Sequence, residues 1–217
     1  MISFLPDKLN KGKLDLLCLG AHCDDIEIGC GGTLLKWIKT QSVNRIVWVV
    51  FSSNQDRKLE AIDSARQFLN GVENHEIIVL DYRDAFLQYA GIEVKEEFEK
   101  LKKIIDPDIV FTHYRQDRHQ DHRLLSDLAW NTFRNHCILE YEIPKYDGDL
   151  GVTNAFVSIG AEEVQQKIDI LLTSFKSQSG KHWFDEETFK SLMRLRGLEC
   201  SSPTRYAESF YLRKCLL

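Results

Sequence analysis

The chain has little with which to build a membrane span, a disulfide framework or a nucleic-acid interface. No apolar run approaches the ~20 residues needed to cross a bilayer. The opening Met1-Ile2-Ser3-Phe4-Leu5-Pro6-Asp7-Lys8 lacks the basic-then-apolar layout of a secretory signal. Six cysteines (Cys18, Cys23, Cys30, Cys137, Cys200, Cys215) form no CxxC pair. Cys18 and Cys137 sit in apolar contexts that suit reduced, buried thiols, so a cytoplasmic location is expected. A net charge of −5 runs against binding a phosphate backbone, so no nucleic-acid partner is expected. Local basic patches, for example around Arg194 and Arg196, are compatible with that charge. There is no internal repeat and no linker rich in glycine and proline. With 43% hydrophobic residues, the 217 residues are read as one domain over 1–217, large enough for a real core.

What is present is an alternation of two hydrophobic periods. Residues 14–20, 46–51, 76–80 and 108–112 are short, nearly continuous apolar runs, as strands covered on both faces require. Between them, residues 57–70 and 98–105 carry apolar positions at helical spacing, and residues 119–133 follow the fourth run in the same way. Residues 139–143, 155–159 and 206–213 are further strand candidates, with helices over 161–175 and 186–196. This order predicts an α/β fold, Rossmann-like, with a mostly parallel sheet flanked by helices. Gly29-Cys30-Gly31-Gly32 reads as a tight turn before a short helix bearing Leu34, Leu35 and Ile38. No GxGxxG occurs there, and Asp24 and Asp25 would repel a pyrophosphate. The glycines are therefore assigned to close helix–sheet packing, with their amides near the substrate.

Two clusters carry the chemistry. Ala21-His22-Cys23-Asp24-Asp25 closes the first apolar run, and His119-Gln120-Asp121-His122 follows the fourth. Both fall just past predicted strand ends, where open α/β sheets build their sites. His22 and Asp25 can share one ion, since Zn²⁺ accepts imidazole nitrogen and carboxylate oxygen in a small shell. Asp24 then points beside the water that such an ion activates, where a carboxylate serves as general base. One of His119 and His122 completes the ligand set, and the other steadies an oxyanion or donates a proton. Asp121 is placed to fix the tautomer of a neighbouring imidazole. Taken singly, each cluster also fits a helix cap or a solvent-facing pair. His113 ends a strand near the site and either lines the pocket or packs; His75 and His136 are read as surface or loop residues.

The run Leu19-Gly20-Ala21-His22-Cys23-Asp24-Asp25-Ile26-Glu27-Ile28-Gly29-Cys30-Gly31-Gly32-Thr33-Leu34 closely resembles the AHPDD(x)E-type signature of the PIG-L/LmbE de-N-acetylases. His119-Gln120-Asp121-His122 resembles the second, HxDH, motif of that family, and Tyr206-Ala207-Glu208-Ser209-Phe210 also looks like it. The resemblance implies a metal-dependent hydrolase that removes acetyl from an N-acetylated amino sugar or glycan precursor, such as an N-acetylglucosamine derivative. It implies one Zn²⁺, or another divalent metal, per chain, with His22, Asp25 and His122 as ligands. Asp24 becomes the base, and His119, expected to act protonated, the oxyanion stabiliser. Cys23 stands where the family has proline and is read as a structural replacement.

Arg57, Asp84, Asp117 and Arg118 are the candidate substrate-binding residues. Asp81 and Arg115, with the polar loops at 176–179 and 181–183 bearing Trp183, are further candidates for the mouth. The expected partner is a small amino sugar, free or linked to a nucleotide or lipid, and a homo-oligomer is compatible with the sequence. The rival readings are a metal amidase acting on a thiol-sugar conjugate and a non-catalytic nucleotide-binding module.

Overall fold

The structure is a computed structural model that describes residues 12–214. Cys215 and the opening residues 1–8 lie outside them. The strands are β1 (Leu14–Gly20), β2 (Val43–Ser52), β3 (His75–Tyr82), β4 (Ile109–His113), β5 (Cys137–Tyr141), β6 (Ala155–Ile159) and β7 (Tyr206–Leu212). The helices are α1 (Asp25–Lys39), α2 (Gln55–Phe68), α3 (Gly91–Ile104), α4 (Gln120–Thr132), α5 (Ala161–Ser174) and α6 (Glu186–Glu199). All strands join one seven-stranded sheet in the order β3-β2-β1-β4-β5-β7-β6. The first five are mutually parallel, and β7 runs antiparallel to both β5 and β6.

Burial on both faces explains the near-continuous apolar runs of β1, β2 and β4, whereas the edge strand β3 is only half-buried. Leu14, Leu16 and Cys18 of β1 enter one core layer with α1, α2, α5 and α6, while Leu17 and Leu19 enter the other with α3 and α4. The strand expected at 139–143 instead spans Cys137–Tyr141; Ile143 is buried beyond its end, so an apolar run overstates the paired segment. Arg196 contributes to no basic patch. Its guanidinium bonds Glu142 at 2.6 and 2.9 Å and also Glu199. Among the described residues no disulfide joins the five cysteines, and no helix is long and apolar enough to cross a membrane.

The glycine-rich segment is not a turn. Helix α1 begins at Asp25 and runs through all three glycines. A Cβ on Gly29 would stand 2.2 Å from the Tyr141 ring, one on Gly31 2.7 Å from Phe68, and one on Gly32 2.9 Å from Ile159. The missing side chains let the helix lie against strands and a neighbouring helix, which offsets the ~1 kcal/mol that each glycine costs within a helix. Their amides do not face a substrate: the N–H groups of Gly32 and Thr33 donate to Glu208 at 2.8 and 2.6 Å. Lys167 Nζ donates to Glu208 and to the carbonyl of Ile28, each at 2.6 Å. Glu208 and Lys167 thus address the two ends of one helical turn and lock α1 to β7 and α5.

Candidate active site

The chain turns from the β2–β3 half of the sheet to the β4–β5 half between β1 and β4, and the side chains of both clusters meet at the C-terminal ends of these two strands. His22 follows β1, Asp24 and Asp25 open α1, His113 ends β4, and His119 caps α4. This is the switch point at which parallel sheets leave a crevice.

Four imidazoles and several carboxylates crowd this crevice, and three overlapping triads have ligand atoms within 4.8 Å of one another: His22/His119/His122, Asp25/His113/His122 and His22/Asp84/Asp121. The triad expected from sequence forms a compact triangle. His22 Nδ1 lies 3.2 Å from Asp25 Oδ2 and 3.1 Å from His122 Nε2, and the third edge is 3.6 Å. A tetrahedral ion with bonds of 2.0–2.1 Å spaces its ligand atoms by about 3.3 Å, so these residues fit one.

The electrostatics suit a cation. His122 Nδ1 hydrogen-bonds Asp117 at 2.9 Å, which turns Nε2 into the triangle. Burial, with the charge of His113, pushes the His122 imidazole down to about 3, so it presents a lone pair at neutral pH. Burial raises the Asp25 carboxyl, but His122, His113 and His22 overcome it and hold Asp25 ionised. Burial likewise lowers His22, yet Asp25, Asp121 and Asp84 raise it well above the usual imidazole range. Positive charge is favoured there.

Asp24 makes no side-chain cap bond, so the capping reading fails for it. Its Oδ1 accepts from Arg57 Nη2 at 2.9 Å. Asn54 caps α2 by accepting from the Arg57 N–H, which sets the turn from which that guanidinium reaches the site. Burial raises the Asp24 carboxyl and Arg57 opposes the rise. Arg57 also reaches Asp84 at 3.3 Å. Contact with His22, against a smaller opposing effect of burial, pulls the Asp84 carboxyl down to about 2.

One expectation needs correction. Asp117 lies inside the wall, 2% exposed, rather than at the mouth. It bonds His122, the His119 N–H and Lys145, so it is Asp117 that orients His122. Asp121 lies near His22 instead, with Oδ2 3.5 Å from Nε2. His119 Nδ1 accepts the Asp121 N–H at 3.3 Å, which leaves Nε2 free to carry a proton, and burial, then the charge of His22, lowers its pKa. His113 is fully buried, stacks on His122 at 3.8 Å and accepts the Ala21 N–H, so it braces the site.

The remaining candidates divide. Arg118 is exposed on the rim, its N–H held by Asp149. Asp81 falls inside β3 and is exposed. Arg115 is tied to Glu140, and Ser177 to Glu60. Trp183 packs against the core and is no free platform. Outside the site, His75 is exposed, and His136 pairs with Asp106. Lys145 gave no sequence signal; only the fold brings it to Asp117. Cys23 is fully buried, with Sγ donating toward the Ser52 carbonyl at 3.5 Å, and burial pushes its thiol up to about 12. Cys23→Ala should therefore keep the metal content and most of the activity of the wild type, measured by elemental analysis and turnover; loss of the ion would make the thiol a ligand.

A sheet of this order with a His/Asp cluster at its switch point defines a candidate metal hydrolase, and comparison with known proteins places it further. Residues 17–133, more than half of the chain, match PIG-L, described as GlcNAc-PI de-N-acetylase. The Escherichia coli (strain K12) protein described as uncharacterized deacetylase YaiS is 31% identical over 154 residues, which is 65% of this chain and 80% of that one. The chain belongs to the PIG-L deacetylase family. Among solved structures, N,N'-diacetylchitobiose deacetylase from Pyrococcus horikoshii shares the fold, with TM-score 0.67 and 22% identity over 97% of this chain and 87% of that one. GalB, the 4-carboxy-2-hydroxymuconate hydratase of Pseudomonas putida KT2440, shares it with TM-score 0.74 and 14% identity over 94% of this chain and 97% of that one. The second likeness shows that this fold also carries other reactions, so the reaction must be argued from the site.

Proposed function

We propose that the protein is a metal-dependent deacetylase of an N-acetylated amino sugar or glycan precursor, with His22, Asp25 and His122 holding one divalent ion, Zn²⁺ first among candidates. The observation that carries this reading is the ligand-atom triangle with edges of 3.1, 3.2 and 3.6 Å, beside the Arg57-held carboxylate of Asp24. An ion there supplies positive charge against a carbonyl oxygen and makes water more acidic.

The chain's own groups do the rest. Asp24 accepts a proton from the attacking water, and its raised basicity suits that task. Water oxygen bonds to the acetyl carbon, and charge builds on the carbonyl oxygen. His119, its Nδ1 held by the Asp121 N–H, donates a hydrogen bond from Nε2 to that oxygen. The proton on Asp24 passes to the nitrogen as the C–N bond breaks, giving acetate and a free amine. Asp117 keeps His122 oriented, while Arg57 keeps Asp24 in place. Asp84 and Arg118, at the opening, are the groups offered to sugar hydroxyls.

Elemental analysis of purified variants tests the ion site. His22→Ala and His122→Ala should each lose most of the metal that wild type retains. Full occupancy in both would end the assignment.

A further inference from the structure

Both nitrogens of the His22 ring face carboxylates. Nδ1 belongs to the triangle described above. Nε2 lies 3.1 Å from Asp84 Oδ1 and 3.5 Å from Asp121 Oδ2. The other oxygen of each carboxylate is already committed: Asp84 Oδ2 accepts from Arg57 at 3.3 Å, and Asp121 Oδ1 accepts the Leu87 N–H at 3.1 Å. Two carboxylate oxygens therefore converge on one ring nitrogen, which carries at most one proton. Asp121 is fully buried and His22 is 8% exposed, yet neither Asp121 Oδ2 nor His22 Nε2 has a well-aligned hydrogen-bond partner. A buried carboxylate oxygen whose nearest partner is one shared imidazole nitrogen 3.5 Å away is costly. A cation among the three atoms removes that cost.

We propose that His22 Nε2, Asp84 Oδ1 and Asp121 Oδ2 form a second divalent-cation site, adjacent to the first and weaker than it. The three donor atoms lie within 4.8 Å of one another. One imidazole nitrogen with two carboxylate oxygens suits Zn²⁺ and similar borderline ions. The ion takes the place of the proton on Nε2, which leaves to solvent, so His22 bridges two ions through its ring. Two features make the site the weaker one: a proton must be displaced, and the Asp84 side chain is 55% exposed and shared with Arg57. The segment carrying Asp84 is nonetheless well placed, because Gln120 Nε2 donates to the Ala85 carbonyl at 3.1 Å. Asp84 shares Arg57 with Asp24, so filling this site bears on the hold over Asp24. The inference goes beyond deacetylation and has only His22 in common with the first ion's ligands.

Equilibrium dialysis of chelator-stripped protein against Zn²⁺, from substoichiometric to tenfold excess, tests it with the metal alone. Wild type should bind two equivalents, the second at least tenfold more weakly. Asp84→Asn and Asp121→Asn should each lose the second equivalent and keep the first. His122→Ala should weaken the first. Because Asp84 is on the surface, Asp84→Asn is informative even if Asp121→Asn fails to fold. Saturation of wild type at one equivalent, or a second equivalent untouched by Asp84→Asn, would overturn the proposal. Loss of the first equivalent's dependence on His122 would instead count against the deacetylase reading.

Discussion

Asp24→Asn is expected to keep the bound ion and lower turnover by about 10²–10⁴-fold, the usual contribution of a positioned general base. The substitution preserves shape and the acceptor oxygen that Arg57 reaches at 2.9 Å, but the amide cannot take a proton. Asp25→Asn should behave in the opposite way, because Asp25 Oδ2 forms two edges of the ligand triangle. That variant should release metal first, with activity falling as a consequence. Metal content and turnover measured on the same preparations separate the two roles. If Asp24→Asn loses the ion while Asp25→Asn retains it, the assignments have been exchanged.

Glu208→Ala is expected to produce the largest loss of stability. It leaves Lys167 Nζ buried with only the Ile28 carbonyl, and it removes the acceptor for the Gly32 and Thr33 N–H groups. Breaking a buried pair by removing one partner costs about 3–5 kcal/mol, against a total stability on the order of 5–15 kcal/mol for a domain. A urea unfolding curve should show the midpoint falling steeply. Glu208→Gln retains an acceptor for the helix amides and should lose less. A loss under about 1 kcal/mol for Glu208→Ala would mean that this pair does not hold α1 in place.

Strands β1, β2 and β4 were legible because burial on both faces writes a continuous apolar run, and the helices of the outer layers because one apolar face repeats at helical spacing. Helix α1 was not. Its residues 25–35 are all buried, so no polar face marks the period, and three glycines argue locally for a turn. The close approach of Tyr141, Phe68 and Ile159 overrides that preference, and it is a long-range fact no window of sequence contains. The site shows the same division. His22, Asp24, Asp25, His119 and His122 announce themselves as two local clusters. The orienting role of Asp117 depends on a hydrogen bond five residues along the chain, and Lys145, held by Asp149, reaches that same carboxylate from another loop. Asp121, the nearer acidic neighbour in sequence, was the natural but incomplete choice. The Arg57 link to Asp24 spans the β1–β2 crossover and emerges only once α2 is docked.

Acetate release tests the central claim most directly. Chelator-stripped protein, assayed across N-acetyl amino sugars and their nucleotide- and lipid-linked forms, should release no acetate. One equivalent of Zn²⁺ or another divalent ion should restore release in wild type but not in His122→Ala. Equal acetate release with and without the ion, or none from any of these substrates by the loaded enzyme, would contradict a metal-dependent deacetylase built on these two clusters.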